Sequence, residues 1–232
     1  MPSRSEETQS NQTEMQNAPL PIGRWRRWQF LFLALFGVLC SVSFLVDNTV
    51  LRLVGARPIS RSEDVAGLVS DYGDWPFLML AALSFLLWAI WKKRSGMVRL
   101  VATMMIASTL AGMVANTLRL TTGRTRPSMT EVAPGWYGLH HKDGYLFGDN
   151  KFNSFPSGHT ATAFGFFAVL AFRKKTGTFL WLIPPVVMGV SRILIEAHHL
   201  SDVCFGAWFG LLAAWWVGTW RWPWNRFSAP SK

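Results

Sequence analysis

Three short stretches carry side chains able to do chemistry together. The first is NTLRLTTGRTRPS, residues 116–128, which sets Arg119, Arg124 and Arg126 within eight positions. The second is PSGHT, residues 156–160, and the third is SRILIEAHHLSD, residues 191–202. A guanidinium is a planar donor fork matched to phosphate oxygens. In PSGHT, a proline suits the first turn of a helix, and Ser157 and Gly158 then offer first-turn N–H groups to an anion. The dipole of such a helix adds positive character there, and His159 is a group able to give or take a proton. The plainer reading of PSGHT is a helix start capped by serine. In SRILIEAHHLSD, a helix would place His198 and Asp202 four apart on one face. A carboxylate beside an imidazole fixes its tautomer and leaves the other ring nitrogen free to attack. Arg192 lies about one and two-thirds turns earlier, able to aim at the same anion. The plainer reading here is a solvated loop with an incidental histidine pair.

Among the arginines, Arg124 reads as the bland one, an arginine that snorkels to lipid headgroups. Glu196, His199, His140 and His141 read as loop or surface groups. Fixed positive charge with one carboxylate-oriented histidine suits phosphoryl transfer, where catalysis is mostly positioning and charge stabilisation. No acidic pair suits Mg²⁺ and no Cys/His spacing suits Zn²⁺, so neither a metal nor another cofactor is expected.

The elements that position these blocks are apolar runs. Half of the 232 residues are hydrophobic, with 13 Trp and 17 Phe, and only 16% are charged. Six stretches free of charge, at 28–46, 75–91, 100–118, 160–172, 176–191 and 203–220, point to an all-α polytopic membrane protein. The second, fourth and fifth are short for a crossing of about 20 residues. The net charge of +10 does not indicate a nucleic-acid partner. Placing the N-terminus in the cytoplasm puts the basic clusters at 24–27, 92–99, 173–175 and 221–232 on one side, directly at helix ends. Both termini are then cytoplasmic, and all three polar blocks fall together on the opposite face. Residues 1–23 read as a polar, disordered tail before an uncleaved signal anchor, 24–222 as the membrane domain and 223–232 as a second cytoplasmic tail. Cys40 and Cys204, both in apolar runs, read as buried structural thiols.

The blocks RLTTGRTRP (119–127), PSGH (156–159) and SRILIEAHHLSD (191–202) resemble the three-part signature of the type-2 phosphatidic acid phosphatase superfamily, K-x6-RP, PSGH and SR-x5-H-x3-D. The resemblance covers roughly residues 75–220. It implies a six-helix bundle and a phosphatase acting through a phosphohistidine. His198 would be the nucleophile and Asp202 its orienting carboxylate. His159 would protonate the leaving group and then activate water. Arg119, Arg126, Arg192, Ser157 and the Gly158 amide would hold the phosphate. Arg119 departs from the pattern, which has Lys there.

The expected partners are the phospholipid bilayer and a lipid phosphate or pyrophosphate: undecaprenyl pyrophosphate, phosphatidylglycerol phosphate, phosphatidate or a lipid A phosphate. In a bacterium this is an inner-membrane enzyme with its site facing the periplasm. Transfer to a second lipid, and a lipid transporter whose arginines only carry head groups, are the alternatives. Trp136, Tyr137, Tyr145 and Lys151 in the long loop at 128–155 are placed to meet the head group.

Overall fold

The computed structural model describes residues 23–55, 61–141, 144–146, 149–172 and 178–219. The helices in chain order are α1 (Gly23–Ser43), α2 (Asp47–Gly55), α3 (Arg61–Tyr72), α4 (Trp75–Trp91), α5 (Ser95–Thr122), α6 (Gly158–Ala171), α7 (Ile183–Leu194) and α8 (Leu200–Gly218). A two-residue hairpin, β1 (His140–His141) with β2 (Gly144–Tyr145), and two 3-10 turns complete the described residues. The expected tails (1–22 and 223–232), the basic clusters at 173–175 and 221–232, and the side chains of 24–27 and of His141 lie outside them.

At the centre, α5, α6 and α8 pack on one another. Small residues recur every fourth position on each: Ala107, Ala111 and Ala115 on α5, Ala161 and Gly165 on α6, and Gly206, Gly210 and Ala214 on α8. Spacing by four keeps them in one stripe, and the stripes let helix backbones approach closely without relying on a hydrophobic driving force. A Cβ at Gly210 would sit 2.5 Å from Phe164 Cβ and 2.6 Å from the Ala161 carbonyl oxygen; one at Gly206 would sit 2.6 Å from that of Ser157. Ser108 Oγ donates across the α5–α6 seam to the Thr162 carbonyl at 2.9 Å. Helix α1 leans on α8, where the Trp208 indole N–H donates to the Leu33 carbonyl at 2.8 Å. The outward faces stay apolar and exposed, as at Phe30, Leu35, Leu87 and Val190, which is the surface a bilayer covers.

The helices follow the apolar runs with instructive differences. Two helices, Ser95–Thr122 and Leu200–Gly218, are each long and apolar enough to cross a membrane, and the count reaches four if each of two bent pairs is one span. One pair joins Trp28–Ser43 to Asp47–Gly55 through a 62° bend, the other Asp64–Tyr72 to Trp75–Trp91 through 51°. Gly158–Ala171 and Phe179–Leu194 are shorter, so six full spans are not seen as such. The run at 176–191 breaks into a 3-10 turn (Thr178–Leu182) and α7. Pro184 and Pro185 in the opening turn of α7 supply no N–H to carry a helix through from the preceding turn.

The Gly210 contact yields a direct expectation. Gly210→Val should force α6 and α8 apart and lower stability by about 1–3 kcal/mol, the usual range for overpacking. A thermal melt of the detergent-solubilised protein reads it; an unchanged midpoint would mean the seam is loose.

Candidate active site

The site is assembled on the polypeptide that leaves α5. Gly123 ends that helix at φ +59°, and a Cβ there would collide with the Gly138 carbonyl, so only glycine makes this exit. The next residues run between two returning strands of the long loop. On one side Tyr137 N–H donates to Gly123 O at 3.1 Å and Thr125 N–H to Gly135 O at 3.1 Å. On the other, Ser154 N–H donates to Arg124 O and Arg126 N–H to Lys151 O, each at 3.0 Å. The loop is thereby a frame that fixes Arg124, Arg126 and Ser154.

Arg124 is not a snorkelling arginine. It is buried, and its Nη2 donates to Asp47 Oδ2 at 2.7 Å while Nη1 donates to Asp202 Oδ1 at 2.5 Å and to Ser201 Oγ at 2.6 Å. Its guanidinium carbon also lies 4.8 Å from the Trp136 ring centre and 5.2 Å from that of Phe44. Asp47 in turn accepts the Ser201 N–H at 2.9 Å, at the start of α8, where a carboxylate suits the helix dipole. The snorkelling expectation fails because two buried carboxylates, far away in sequence, converge on this guanidinium.

His198 and Asp202 do not share one continuous helix. α7 stops at Leu194, Glu196 turns the chain at φ +51°, and α8 starts at Leu200 with His199 as its N-cap. Asp202 folds back on that cap: its Oδ2 accepts His199 N–H at 2.8 Å and the Ser154 hydroxyl at 2.5 Å. His199 is consequently buried, with Nδ1 3.2 Å from the same oxygen, and not a surface group. His198 Nδ1 lies 3.8 Å from Asp202 Oδ2, beyond a hydrogen bond, and instead meets the Ser154 carbonyl oxygen at 2.7 Å. A carbonyl only accepts, so Nδ1 carries the proton and Nε2 keeps its lone pair. Burial lowers the proton affinity of His198, which keeps the ring neutral.

Arg192 and Arg126 act electrostatically on His198, and Arg192, His198 and Arg119 on His159. Arg192 donates through Nη1 to Ser70 Oγ, from α3, and Arg119 through Nη2 to Asn116 Oδ1 at 2.7 Å. Gly158 opens α6 directly against Arg119, whose Nη1 would be 3.5 Å from a Cβ there. Ser157 is the N-cap, while Pro156 precedes the helix and does not enter its first turn. The Ser157 N–H is already spent on the Asp202 carbonyl at 3.0 Å, which leaves the Gly158 amide as the first-turn donor. Ser157 Oγ accepts from Thr160 at 2.9 Å, so its own hydroxyl proton is not used in that bond. His159 turns Nε2 to within 3.3 Å of Asp74 Oδ1. Burial and the neighbouring Arg119 charge pull the Arg126 guanidinium below its usual value. Among the described residues, Arg119 Nε, Arg126 Nε, Arg192 Nε and His198 Nε2 are buried nitrogens without a hydrogen-bond partner.

Tyr145 of the long loop is exposed, but Lys151 pairs with Glu131 at 2.5 Å and Trp136 covers Arg124. Sequence reading passed over Asp47, Ser70, Asp74, Asn116, Ser154 and Ser201, all of which touch a signature residue or Arg124. A lone acid closing an apolar run, as Asp47 does in FLVD, was the available signal.

The sequence model of the PAP2 superfamily matches residues 96–227, more than half of the chain. The chain belongs to the PAP2 superfamily. Within the family, it is 34% identical over 114 residues to the lipid A 1-phosphatase of Rhizobium johnstonii, covering 45% of this chain and 42% of that one. It is 46% identical over 63 residues to the bacitracin transport permease protein BcrC of Bacillus licheniformis, 27% of this chain and 30% of that one. The chain thus spans less than half the length of the curated relatives it matches. Among solved structures, Aquifex aeolicus LpxE superposes with a TM-score of 0.54 at 21% identity, over 73% of this chain and 93% of that one. The PAP2-type phosphatidylglycerolphosphate phosphatase of Bacillus subtilis gives 0.56 at 16% identity, over 88% and 97%. At such identities both speak for the PAP2 fold.

Arg124→Ala would strand two buried carboxylates. The expected loss is about 3–5 kcal/mol, the range for breaking a buried ion pair from one side. Arg124→Lys, which retains charge but not the fork, should fall between. Melting curves in detergent measure both, and a wild-type midpoint for Arg124→Ala would show that Asp47 and Asp202 do not depend on it.

Proposed function

We propose that this PAP2 protein is an integral membrane phosphatase that hydrolyses a lipid phosphate or pyrophosphate through a phosphohistidine. The observation that carries this reading is the set of four buried, unpartnered nitrogens, three on arginines and one on a neutral imidazole. A buried donor without a partner costs about 1–3 kcal/mol, and an anion with several oxygens relieves three of these at once.

In the first step the His198 Nε2 lone pair attacks phosphorus. The bond to the leaving oxygen breaks, its electrons stay on that oxygen, and His159 gives it a proton. In the second step neutral His159 takes a proton from water as the water oxygen bonds to phosphorus. The P–N bond then breaks and its electrons return to His198. Arg119, Arg126, Arg192, the Ser157 hydroxyl and the Gly158 amide hold the phosphoryl oxygens as charge develops on them. Asp202 acts at one remove: it holds the Ser154 hydroxyl, and the Ser154 carbonyl holds the imidazole proton. The charge stabilisation comes from guanidinium groups, and no metal ion is required by this arrangement.

The chain carries one membrane domain over residues 24–222, crossing six times with both termini cytoplasmic and the site at the outer face. The head group would lie at that face while the tail stays in the bilayer. The lipid A 1-phosphatase likeness favours a phosphate on a glycolipid, and undecaprenyl pyrophosphate, phosphatidylglycerol phosphate and phosphatidate remain in the same class. The permease name of the Bacillus licheniformis relative supports a second reading, a head-group carrier without chemistry.

Phosphate release from a panel of lipid phosphates, with chelator present, tests the assignment. His198→Ala and His159→Ala should lose at least about a thousandfold in kcat, within the range for removing a nucleophile or a general acid. Both should still melt cooperatively, His198→Ala at a lower midpoint because it opens a cavity and leaves the Ser154 carbonyl without its donor. A carrier would keep moving lipid after His198→Ala, and that result would sink the phosphatase. Because the buried His198 resists protonation, its lone pair should persist into acid. The acid limb of kcat/KM should therefore fall below the ordinary imidazole value of about 6.5; a limb at or above it would contradict the neutral nucleophile.

A further inference from the structure

Asp74 lies outside the three signature blocks, at the corner between α3 and α4. Gly73 sets that corner against α7, since a Cβ there would collide with Met188 Cε and lie 2.7 Å from the Val69 carbonyl. The same corner sends Ser70 to Arg192. Asp74 then caps α4, accepting the Trp75 N–H at 2.7 Å, and brings the same Oδ1 to 3.3 Å from His159 Nε2. Every other charged group that acts on His159 is cationic or becomes so on protonation: Arg192 from α7, Arg119 from α5 and His198 from the α7–α8 turn. Positive neighbours repel a proton from an imidazole, and a carboxylate in contact draws one to it. Asp74 is the one charged group acting on this ring in the second sense, against burial, the largest effect, and the neighbouring cations, which together leave the ring's pKa at about 4.

We propose that Asp74 is a positioning residue that orients His159 and favours its protonated form, the form that gives a proton to the leaving oxygen. This rests on the phosphatase reading given above. The proton on Nδ1, the ring nitrogen not turned to Asp74, moves to the leaving oxygen as the P–O electron pair arrives there, while Nε2–H stays against Asp74, which remains ionised throughout. Its role is confined to the half-reaction that needs an acid, because in the second step His159 regains a proton from water and the pair is restored.

The test uses the full chain in dodecyl maltoside micelles with dioctanoyl phosphatidate as the probe, comparing wild type with Asp74→Asn and Asp74→Glu. Asparagine keeps an N-cap acceptor for α4 while removing the charge. With the counter-charge gone, His159 loses its proton at lower pH. The alkaline limb of kcat should move down by about one pH unit, roughly a tenfold loss of rate above it, with KM little changed. Asp74→Glu should restore most of the rate. In ¹⁵N-histidine-labelled protein, the His159 resonance, identified by His159→Gln, should titrate lower in Asp74→Asn by a similar interval. An active wild type whose limb and His159 titration are both unmoved by Asp74→Asn overturns the proposal. So does a lowered melting temperature with an unmoved titration, which would make Asp74 a helix cap only. Should wild type hydrolyse no lipid phosphate, the phosphatase reading falls, and the His159 titration alone still decides whether Asp74 holds the proton.

Discussion

The end of the bundle that carries the signature residues depends on one buried cation held between two carboxylates. Arg124 bridges Asp47, at the start of α2, to Asp202, in the first turn of α8, and the strand that carries Arg124 leads out of α5. Three parts of the chain that are distant in sequence meet at a single guanidinium. An isolated charge in such surroundings would be far too costly, and a lysine could not face two carboxylates with a planar fork. The hub still holds two acids for one base. Its surplus negative charge lies beside the cationic set, and the Asp202 charge acts on Arg126 directly. The charge of Arg126 is thereby partly balanced from the hub.

That arrangement explains why the orphaned nitrogens are tolerable. Two arginines of the set have part of their fork pinned by a neutral group, Arg192 by Ser70 and Arg119 by Asn116, while at Arg126 the backbone is fixed by its amide on Lys151. Pinning fixes direction without consuming the charge, which is the condition for electrostatic stabilisation that needs no rearrangement during reaction. At position 119 the family pattern has lysine, and the geometry shows what the fork adds here. One Nη is held by Asn116, and the other lies beside Gly158, where a Cβ would come to 3.5 Å, an ordinary contact. A lysine, with one terminal nitrogen, could not meet Asn116 and face Gly158 through separate nitrogens at once.

Much of this was legible in the residues. The three blocks named Arg119, Arg126, Ser157, Gly158, His159, Arg192, His198 and Asp202, and the apolar runs located the helices that hold them. What escaped was whatever depended on partners fixed only in space. Asp47 and Arg124 stand 77 positions apart, and nothing local marks them as a pair. The HHLSD segment was read as continuous helix because its spacing allowed it. The structure instead has a histidine at the N-cap with an aspartate at the third helical position, after a left-handed Glu196 that breaks the helix. The fourfold repeats of small residues on α5, α6 and α8 were in plain view and went unread, because hydropathy scores alanine and glycine as filler.

The break before His198 has a mechanistic consequence. In a continuous helix the Nδ1 proton would face the Asp202 carboxylate, and proton and charge would be shared along one short contact. The turn instead gives that proton to a backbone carbonyl, which fixes the tautomer without the full charge of a direct imidazole–carboxylate bond. In the proposed reaction the ring accepts phosphorus and gains positive character, and the carboxylate 3.8 Å away then becomes worth more than it was in the neutral ground state. An interaction that strengthens only as charge appears favours the charged species over the resting enzyme, which is what catalysis by differential binding demands. On that proposal the carbonyl keeps the nucleophile in its reactive tautomer, and the more distant acid stabilises what the nucleophile becomes.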